Sequence, residues 1–260
     1  MGIYDKYIRK KIFVSEVDKV NSDLNPDFLK AVISYNMYGA YCVPISAQHR
    51  TLGQKILRGD VFEPDTITYM RSNVRDGDII HAGTFFGDFL PGLSKSLAPD
   101  AKIWAFEPNK ENFQCAEVTL ILNNIDNVNL YPCGLGEIKS KAILKTENKK
   151  GRALGGSSTI VETPDNENSF EEINIVSIDG LIPEDRNINI LQLDVEGYEE
   201  NALKGAIKTI ERCRPILILE DDHQVTKSQW FKKNILSLDY VVSDRLHYNR
   251  IILPKEAKHK

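Results

Sequence analysis

The sequence predicts an α/β fold of the Rossmann-like type, with a mostly parallel sheet, helices on both faces and an antiparallel strand pair near the C-terminal end. Three observations predict it. Short apolar segments alternate with helical patterns from about Val61 onward. The segment Pro215–Glu220 (PILILE) is apolar up to its last residue, as in a strand buried on both faces. Polar or glycine-bearing residues follow five of the segments, where strands of such a sheet reach a ligand.

Composition limits the class of protein. The 260 residues are 42% hydrophobic and 27% charged, which suits one large domain, alone or with a smaller appendage. The net charge of −4 gives no electrostatic reason to expect nucleic acid as a partner. No apolar stretch approaches the ~20 residues of a membrane span. Cys42, Cys115, Cys133 and Cys213 form no CxxC pair, so we expect reduced thiols and a cytoplasmic protein.

Residues 1–60 differ from the rest and are expected to form a helical or irregular N-terminal extension. They contain no parallel-sheet strand pattern, and Asn25-Pro26-Asp27 is expected to begin a helix that includes Val32 and Ile33. The basic segment Ile3–Val20 is interpreted as a solvated helix or docked arm, with attachment to a membrane surface as the alternative. We expect this extension to cap the active site or to mediate a homodimer.

The first half of the region from Val61 contains three helices and three strands. A proline in the first turn favours the first helix, and a helix also follows a glycine loop. In the third helix, apolar residues at i, i+3, i+7 and i+8 predict an inward face formed by Phe113, Ala116, Leu120 and Ile121. The expected elements are helix Pro64–Asn73, a strand from Ile79 to Ala82, helix Asp88–Leu97, strand Lys102–Phe106, helix Asn109–Asn124 and strand Val128–Pro132.

The second half begins with a polar stretch and ends with a strand pair. Alternating apolar residues predict an edge-like strand, and a longer apolar run predicts a central strand. The expected elements are strand Ile173–Ile178, strand Ile188–Val195, helix Glu199–Glu211, strand Pro215–Glu220 and an antiparallel pair formed by Tyr240–Val242 and Arg250–Leu253.

The first strand exit, His81–Asp88, has the layout of a nucleotide-binding loop. Gly83 permits a tight turn with no side chain in the way of a ligand. The helix after Gly87 directs free N–H groups toward that ligand. The GxxxG spacing differs from the GxGxxG of dinucleotide sites, and a purely structural glycine turn is the alternative.

Two further strand exits carry carboxylates. Glu107 ends the second strand about 20 residues after the glycine loop, a position from which a carboxylate accepts both ribose hydroxyls. Pro108 and Asn109 then turn the chain into a helix that Asn109 is expected to cap. Asp194 and Glu196 leave the central strand together. Asp194 is expected to face the reaction centre, whereas Glu196 either joins it or caps the next helix.

The strings AFEPN, LQLDVEGYEENALKGA and PILILE, in this order, resemble the FkbM family of methyltransferases, from about Val61 to the end of the chain. The resemblance implies a class I methyltransferase fold and S-adenosylmethionine as the methyl donor. It also implies O-methylation of a hydroxyl, often on a sugar or another small metabolite. The region 61–260 is therefore expected to be the domain that binds S-adenosylmethionine.

Carried over by position, the family motifs assign roles to individual residues. The loop of the first strand exit would hold the methionine and ribose side of S-adenosylmethionine. Glu107 would bind the ribose hydroxyls, and Cys133 and Gly134, after the third strand, would lie near the adenine ring. Two departures stand out, because the family usually has aspartate at His81 and lysine at Gln192. The implied cofactor-binding residues are His81, Gly83, Thr84, Phe85, Gly87, Asp88, Glu107, Pro108, Asn109, Cys133, Gly134 and Asp194.

Methyl transfer to a hydroxyl benefits from a base within hydrogen-bond reach. The candidates are Asp194, His223, which follows the acidic trio 220–222, and, less favoured, Glu196. Asp194 with Asp221 and Asp222 has the oxygen ligands that Mg²⁺ uses, but the resemblance requires no metal and we expect none.

Two other functions fit parts of the sequence. One is a nucleotide-dependent oxidoreductase, which the GxxxG spacing disfavours. The other is a non-catalytic protein that keeps the fold and has lost activity, which the divergent first loop would explain. The segment Leu154–Thr159 (LGGSST) is either part of an acceptor pocket or a plain loop. The sequence does not distinguish a sugar, polyketide, lipid or peptide hydroxyl as the acceptor.

Overall fold

A computed structural model describes residues 29–163 and 169–256. The chain divides into two compact units, residues 1–30 and 31–260, and the elements below belong to the second. The basic segment Ile3–Val20 and the proposed helix start at Asn25 lie outside the described residues. Within the described part, no helix has the length and apolar character needed to cross a membrane.

The described residues contain thirteen named strands and eight α-helices. The strands are β1 Ala31–Tyr35, β2 Ala40–Pro44, β3 Asp78–Ala82, β4 Ile103–Phe106, β5 Val128–Tyr131, β6 Cys133–Leu135, β7 Ser140–Lys145, β8 Thr159–Val161, β9 Phe170–Val176, β10 Ile188–Leu193, β11 Ile216–Glu220, β12 Tyr240–Leu246 and β13 Asn249–Pro254. The helices are α1 Thr51–Leu57, α2 Pro64–Asn73, α3 Leu90–Ser94, α4 Lys110–Leu122, α5 Ile178–Leu181, α6 Glu199–Lys204, α7 Ile207–Cys213 and α8 Gln229–Asn234.

The central sheet has seven strands in the order β12-β13-β11-β10-β3-β4-β5. The five strands from β11 to β5 are parallel, while β13 pairs antiparallel with both β11 and β12. This arrangement confirms the predicted mostly parallel sheet and its antiparallel C-terminal pair. The strand order reverses at β3, so β3 and β10 lie side by side in the middle of the sheet, where ligands bind in such folds.

Successive residues of the central strands enter two separate cores, one on each face of the sheet. Ile79 and Ile190 belong to the core that includes Met70. Ile80 and Leu191 belong to the core on the other face. Because side chains alternate along a strand, the residues after these positions also alternate between faces. This alternation fixes which polar side chains meet at the strand exits.

Helix α4 confirms one expectation and corrects another. Asn109 caps it, since its Oδ1 accepts a hydrogen bond from the backbone N–H of Asn112 at 3.0 Å. The predicted inward face is wrong at Ile121, which is 72% exposed. Strand β2 packs against α4, and the Cys42 N–H donates to Thr119 Oγ1 at 3.0 Å. Since backbone approaches the helix there, its buried face carries small and polar side chains.

The helix expected over Glu199–Glu211 is divided into α6 and α7 around Gly205. A Cβ atom at Gly205 would lie 2.0 Å from the carbonyl oxygen of Gly136. The loop after β6 therefore passes directly against this break. The pattern of buried apolar positions still spans both helices, which is why the sequence indicated one.

A second sheet of four strands, in the order β6-β9-β7-β8, is the main feature that the sequence pattern did not predict. The strand expected at Ile173–Ile178 exists as β9 but belongs to this sheet. The segment Leu154–Thr159 contains a turn of 3₁₀ helix at Gly155–Ser157 and enters β8.

The helix predicted through Val32 and Ile33 is wrong, because both residues lie in β1, which pairs antiparallel with β2. The hairpin forms because every residue of β2 is buried and the turn closes with a hydrogen bond from Asn36 N–H to the Gly39 carbonyl at 3.0 Å. Residues 31–60 thus pack within the same compact unit as the later elements. The sequence boundary near Val61 stays a prediction.

Candidate active site

The loop after β3 turns sharply beneath the end of β10. Gly83 has φ +82°, and a Cβ atom there would lie 1.8 Å from the carbonyl oxygen of Asp194. Only glycine fits this approach, in conformation and in space. The N–H groups of Gly83 and Thr84 both reach the Phe106 carbonyl, at 3.2 and 3.1 Å. The exits of β3, β4 and β10 therefore meet at one point.

Glu107 joins the second strand exit to the glycine loop. Its Oε2 accepts the N–H of Phe85 at 2.7 Å, and its Oε1 accepts the N–H of Asn109 at 2.9 Å. Phe85 has φ +52°, unusual for a bulky residue, so this hydrogen bond helps to hold a strained turn. Burial raises the pKa of Glu107 to about 7, while these hydrogen bonds oppose the rise.

A narrow cavity of about 40 Å³ begins beside Glu107 and ends at the carboxylates after β10. Its lining is apolar or glycine at one end and acidic at the other. Six of the predicted cofactor-binding residues border it. These are Gly83, Glu107, Pro108, Cys133, Gly134 and Asp194.

A wider cavity of about 410 Å³ shares Gly83, Gly156, Asp194 and Glu196 with the narrow one. Five carboxylates line it, and residues 49–52 from the N-terminal part of the compact unit close one side. The carboxylates are Glu63, Asp88, Asp194, Glu196 and Glu220.

Three of these carboxylates crowd together. One carboxyl oxygen from each of Asp194, Glu196 and Glu220 lies within 4.8 Å of the others. Burial is the main cause that raises all three pKa values, and repulsion from neighbouring carboxylates adds to it. For Glu220 the pKa reaches about 7. Among the described residues, this trio has spacing that could also admit a divalent cation.

The trio differs from the one considered for Mg²⁺ in the sequence. Asp221 is engaged elsewhere, since its carboxylate accepts the N–H of Thr226 at 3.0 Å and lies 3.6 Å from Arg250. Asp222 is exposed. Glu220, at the end of the same strand, takes the place expected for these two residues.

The two departures from the family pattern are direct partners. His81 on β3 pairs in register with Gln192 on β10, and His81 Nδ1 hydrogen-bonds Gln192 Oε1. The ring of His81 also stacks on Phe89, with centroids 5.3 Å apart. Burial lowers the pKa of His81 to about 4, so the imidazole is neutral. A neutral pair thus stands where the family usually has two charged residues.

Glu199 holds the turn that follows β10. Its Oε1 accepts the N–H of Val195 at 3.1 Å and of Gly197 at 3.2 Å. The turn needs this support, because Glu196 has φ +52° and Gly197 φ +93°. Glu196 does not cap the following helix, because the N-cap position is Tyr198 and no side chain accepts a cap hydrogen bond there.

A polar bridge closes the cavity over Glu196. Arg50 donates a hydrogen bond to Ser157, and both residues favour the ionised form of Glu196, against the effect of burial on its pKa. The ring of Phe85 packs against the neighbouring glycines, so that a Cβ at Gly155 would lie 3.0 Å from it. The segment 154–159 therefore borders both cavities.

Some predicted site residues lie apart from the cavities. His223 is exposed and lies over Gly197, whose added Cβ would be 3.2 Å from the ring. Thr84, Gly87 and Asn109 serve the loop and the helix cap rather than lining either cavity.

Sequence reasoning missed three charged residues that line the wide cavity, which are Glu63, Arg50 and Glu220. Glu63 accepts hydrogen bonds from Thr66 Oγ1 at 3.0 Å and Asn249 Nδ2 at 2.8 Å, and Arg50 forms the bridge above. No local pattern marks Glu63 or Arg50, because distant strands complete their surroundings. Glu220 did have a signal, since it ends the apolar strand PILILE at a strand exit.

The strand order, the glycine loop and the acidic residues at the exits of β4 and β10 define a class I methyltransferase fold. The sequence matches the methyltransferase FkbM domain over residues 81–246. The chain therefore belongs to the FkbM family of S-adenosylmethionine-dependent methyltransferases, which confirms the predicted family, fold class and methyl donor.

Individual relatives are more distant. Methyltransferase 1 of Beauveria bassiana (strain ARSEF 2860) is 27% identical over 150 residues, which are 50% of this chain and 58% of that protein. The FkbM methyltransferase of Methylobacillus flagellatus KT superposes with a TM-score of 0.49 at 22% identity, covering 68% of this chain and 43% of that one. M. jannaschii TYW2, solved in complex with AdoMet, gives 0.48 at 8% identity, covering 88% and 86%. The chain thus spans about half the length of the first two.

Proposed function

We propose that the protein transfers a methyl group from S-adenosylmethionine to a hydroxyl of a sugar or another small metabolite. One observation carries the proposal. Gly83, Glu107 and Asp194 line a single cavity, which brings the carboxylate expected to bind the ribose and the one expected at the reaction centre to the same site. The wide cavity beyond Asp194 supplies the space for an acceptor.

The chemistry of the lining fits this methyl donor. Leu135, Leu144 and Ile160 offer an apolar surface for the adenine ring, beside Cys133. The carboxylates at the other end favour the positive sulfonium and ammonium groups.

The chain's contribution to methyl transfer is to position the acceptor oxygen and to take its proton. Asp194 lines both cavities and lies where an acceptor next to the methyl group would reach it. His223 lines neither. Glu196 lines both as well, but Ser157 and Arg50 favour its ionised form and make it the weaker base. Asp194 is therefore the base that we favour among the three candidates.

Calorimetry with S-adenosylmethionine and with NAD tests the donor. We expect micromolar binding of the former and none of the latter; the opposite result would reject the proposal. Mass spectrometry of a metabolite extract incubated with the protein and methyl-labelled donor then identifies the acceptor. Donor binding without transfer to any component would favour the non-catalytic alternative.

The identity of the base is tested with two variants. Asp194→Asn should lower kcat by about 10²–10⁴-fold while the protein still binds S-adenosylhomocysteine. His223→Ala should retain most of the activity, because its ring lies outside both cavities. Full turnover in Asp194→Asn would show that the proton leaves by another route.

A further inference from the structure

The end of β11 places a second carboxyl group against Asp194. Leu193 pairs with Leu219 across parallel β10 and β11, so Asp194 and Glu220 leave the sheet side by side. One carboxyl oxygen of each lies within 4.8 Å of one from the other. Both line the wide cavity in which we place the acceptor.

Two carboxylates this close together repel each other unless one of them holds a proton, which it can then donate to its neighbour. Among the described residues, no salt bridge reaches either Asp194 or Glu220. Four further acidic groups add repulsion at the pair, namely Glu63, Glu196, Glu199 and Asp222. Arg50, which also lines the cavity, donates a hydrogen bond to Ser157. A single proton shared by the pair relieves this repulsion and leaves one negative charge.

Glu220 is the member of the pair that has an oxygen free to accept a hydrogen bond from a ligand. Its Oε2 atom is buried and accepts no hydrogen bond from any described residue. A buried oxygen without a partner is costly unless a ligand supplies a donor. The hydroxyl of an acceptor in the wide cavity is such a donor.

We propose that Glu220 is a catalytic residue and that Asp194 and Glu220 act together, as a carboxyl pair holding one proton, as the base for methyl transfer. The inference rests on the proposed function above. When the acceptor O–H bond breaks, its proton passes to the pair and makes it neutral. The oxygen lone pair forms the new O–C bond, and the electrons of the broken S–C bond stay on sulfur, which becomes a neutral thioether.

The shared proton can be measured without an acceptor. Infrared difference spectra between the wild-type protein and each variant near neutral pH should show that Glu220→Gln and Asp194→Asn each lose one protonated carboxyl stretch, while the bands of other buried carboxyls such as Asp88 remain. Glu117→Gln, which removes an exposed acid on α4, is the matched control and should lose no such band. A wild-type protein without the band, or a band that millimolar Mg²⁺ abolishes, would overturn the proposal, the latter because a cation then occupies the pair.

The catalytic part is tested with labelled methyl transfer into the extract described above. Glutamine can donate to Asp194 as protonated Glu220 does, but it can neither ionise nor take the proton of the acceptor. Glu220→Gln should therefore slow transfer by about tenfold or more and remove the higher of the two ionisations of the pair from the pH–rate profile. Binding of S-adenosylhomocysteine by each variant, measured by calorimetry, verifies that the site has folded. Slower transfer with an unchanged pH profile would indicate a structural role and reject the proposal, whereas absence of transfer by the wild type, with the infrared band present, would reject only the proposed function.

Discussion

Glu107 is the residue on which the expected donor site depends most directly. It is 5% exposed, and it holds the Phe85 turn while presenting its carboxylate to the narrow cavity. The two tasks are compatible, because each carboxylate oxygen can accept more than one hydrogen bond. The same group thus shapes the loop and is available to ribose hydroxyls.

Glu107→Gln should weaken binding of S-adenosylmethionine by about tenfold or more, because an amide replaces one acceptor oxygen with a donor. Calorimetry measures the affinity. Glu117→Gln, an exposed position on the following helix, is the matched control and should bind normally. Equal affinity in both variants would remove Glu107 from the donor site.

The hydrogen-bonded pair His81 and Gln192 is the basis of a second prediction about single residues. His81→Asp alone places a buried carboxylate against the neutral Gln192, and Gln192→Lys alone buries an ammonium beside the neutral His81. Each change should destabilise the fold by several kcal/mol, since it leaves a buried charge unpaired. The double variant, which has the residues usual in the family, should recover much of the loss.

Denaturant unfolding of the four proteins gives the coupling energy, expected at about 1–3 kcal/mol in favour of the double variant. Additive losses would show that the two positions act independently in spite of their hydrogen bond. Far-UV circular dichroism confirms that each protein is folded before the comparison.

Among the secondary-structure elements, the break between α6 and α7 is the point where backbone packs most closely on backbone. Gly205→Ala should destabilise the protein by about 1–3 kcal/mol, because the new methyl group meets the Gly136 carbonyl, which cannot rotate away. Gly156→Ala is the matched control, since its nearest contact, 3.4 Å from Phe85, is an ordinary one. Thermal unfolding of the two variants tests this difference. Equal midpoints would mean that the loop after β6 moves away from the new methyl group at little cost in stability.

The elements that the sequence predicted best are those with the strongest periodic pattern. The parallel strands are apolar because both faces are covered, and the Asn109 cap carries a local signal. The second sheet escaped prediction because a strand such as β7 (SKAILK) mixes exposed and buried positions. The β1–β2 hairpin was misread because its stability comes from packing on a helix about 75 residues later, as the bond from Cys42 to Thr119 shows, 77 residues apart.

The candidate site shows the same division. Residues in strand exits, such as Asp194, could be found because the fold class says where ligands bind. Glu63 and Arg50 could not, because they enter the cavity from segments with no pattern of their own. Their place depends on the whole arrangement of strands rather than on neighbours in the sequence.

For the molecule as a whole, the buried carboxyls set the pH dependence of stability. Burial raises the pKa of Asp88 to about 8 and that of Glu107 to about 7. The folded state therefore binds these protons more tightly than the unfolded chain does. Stability is highest where the groups are protonated and falls as pH rises toward their folded pKa values. His81 acts in the opposite sense, because its pKa is lowered to about 4 and it favours the unfolded state as pH falls below 6.5.

Between pH 6.5 and 8 the carboxyls dominate, and the ligand-free protein should lose stability as pH rises. Asp88 alone contributes about 1–2 kcal/mol over this interval, which corresponds to roughly 2–4 °C in Tm for each kcal/mol in a protein of this size. Scanning calorimetry at constant ionic strength measures the change. Asp88→Asn, which cannot ionise, should reduce the slope, whereas Asp222→Asn at an exposed position should not. A Tm that is constant or rises between pH 6.5 and 8 would mean that the buried carboxyls are ionised in the folded protein, with their charge compensated inside the cavity.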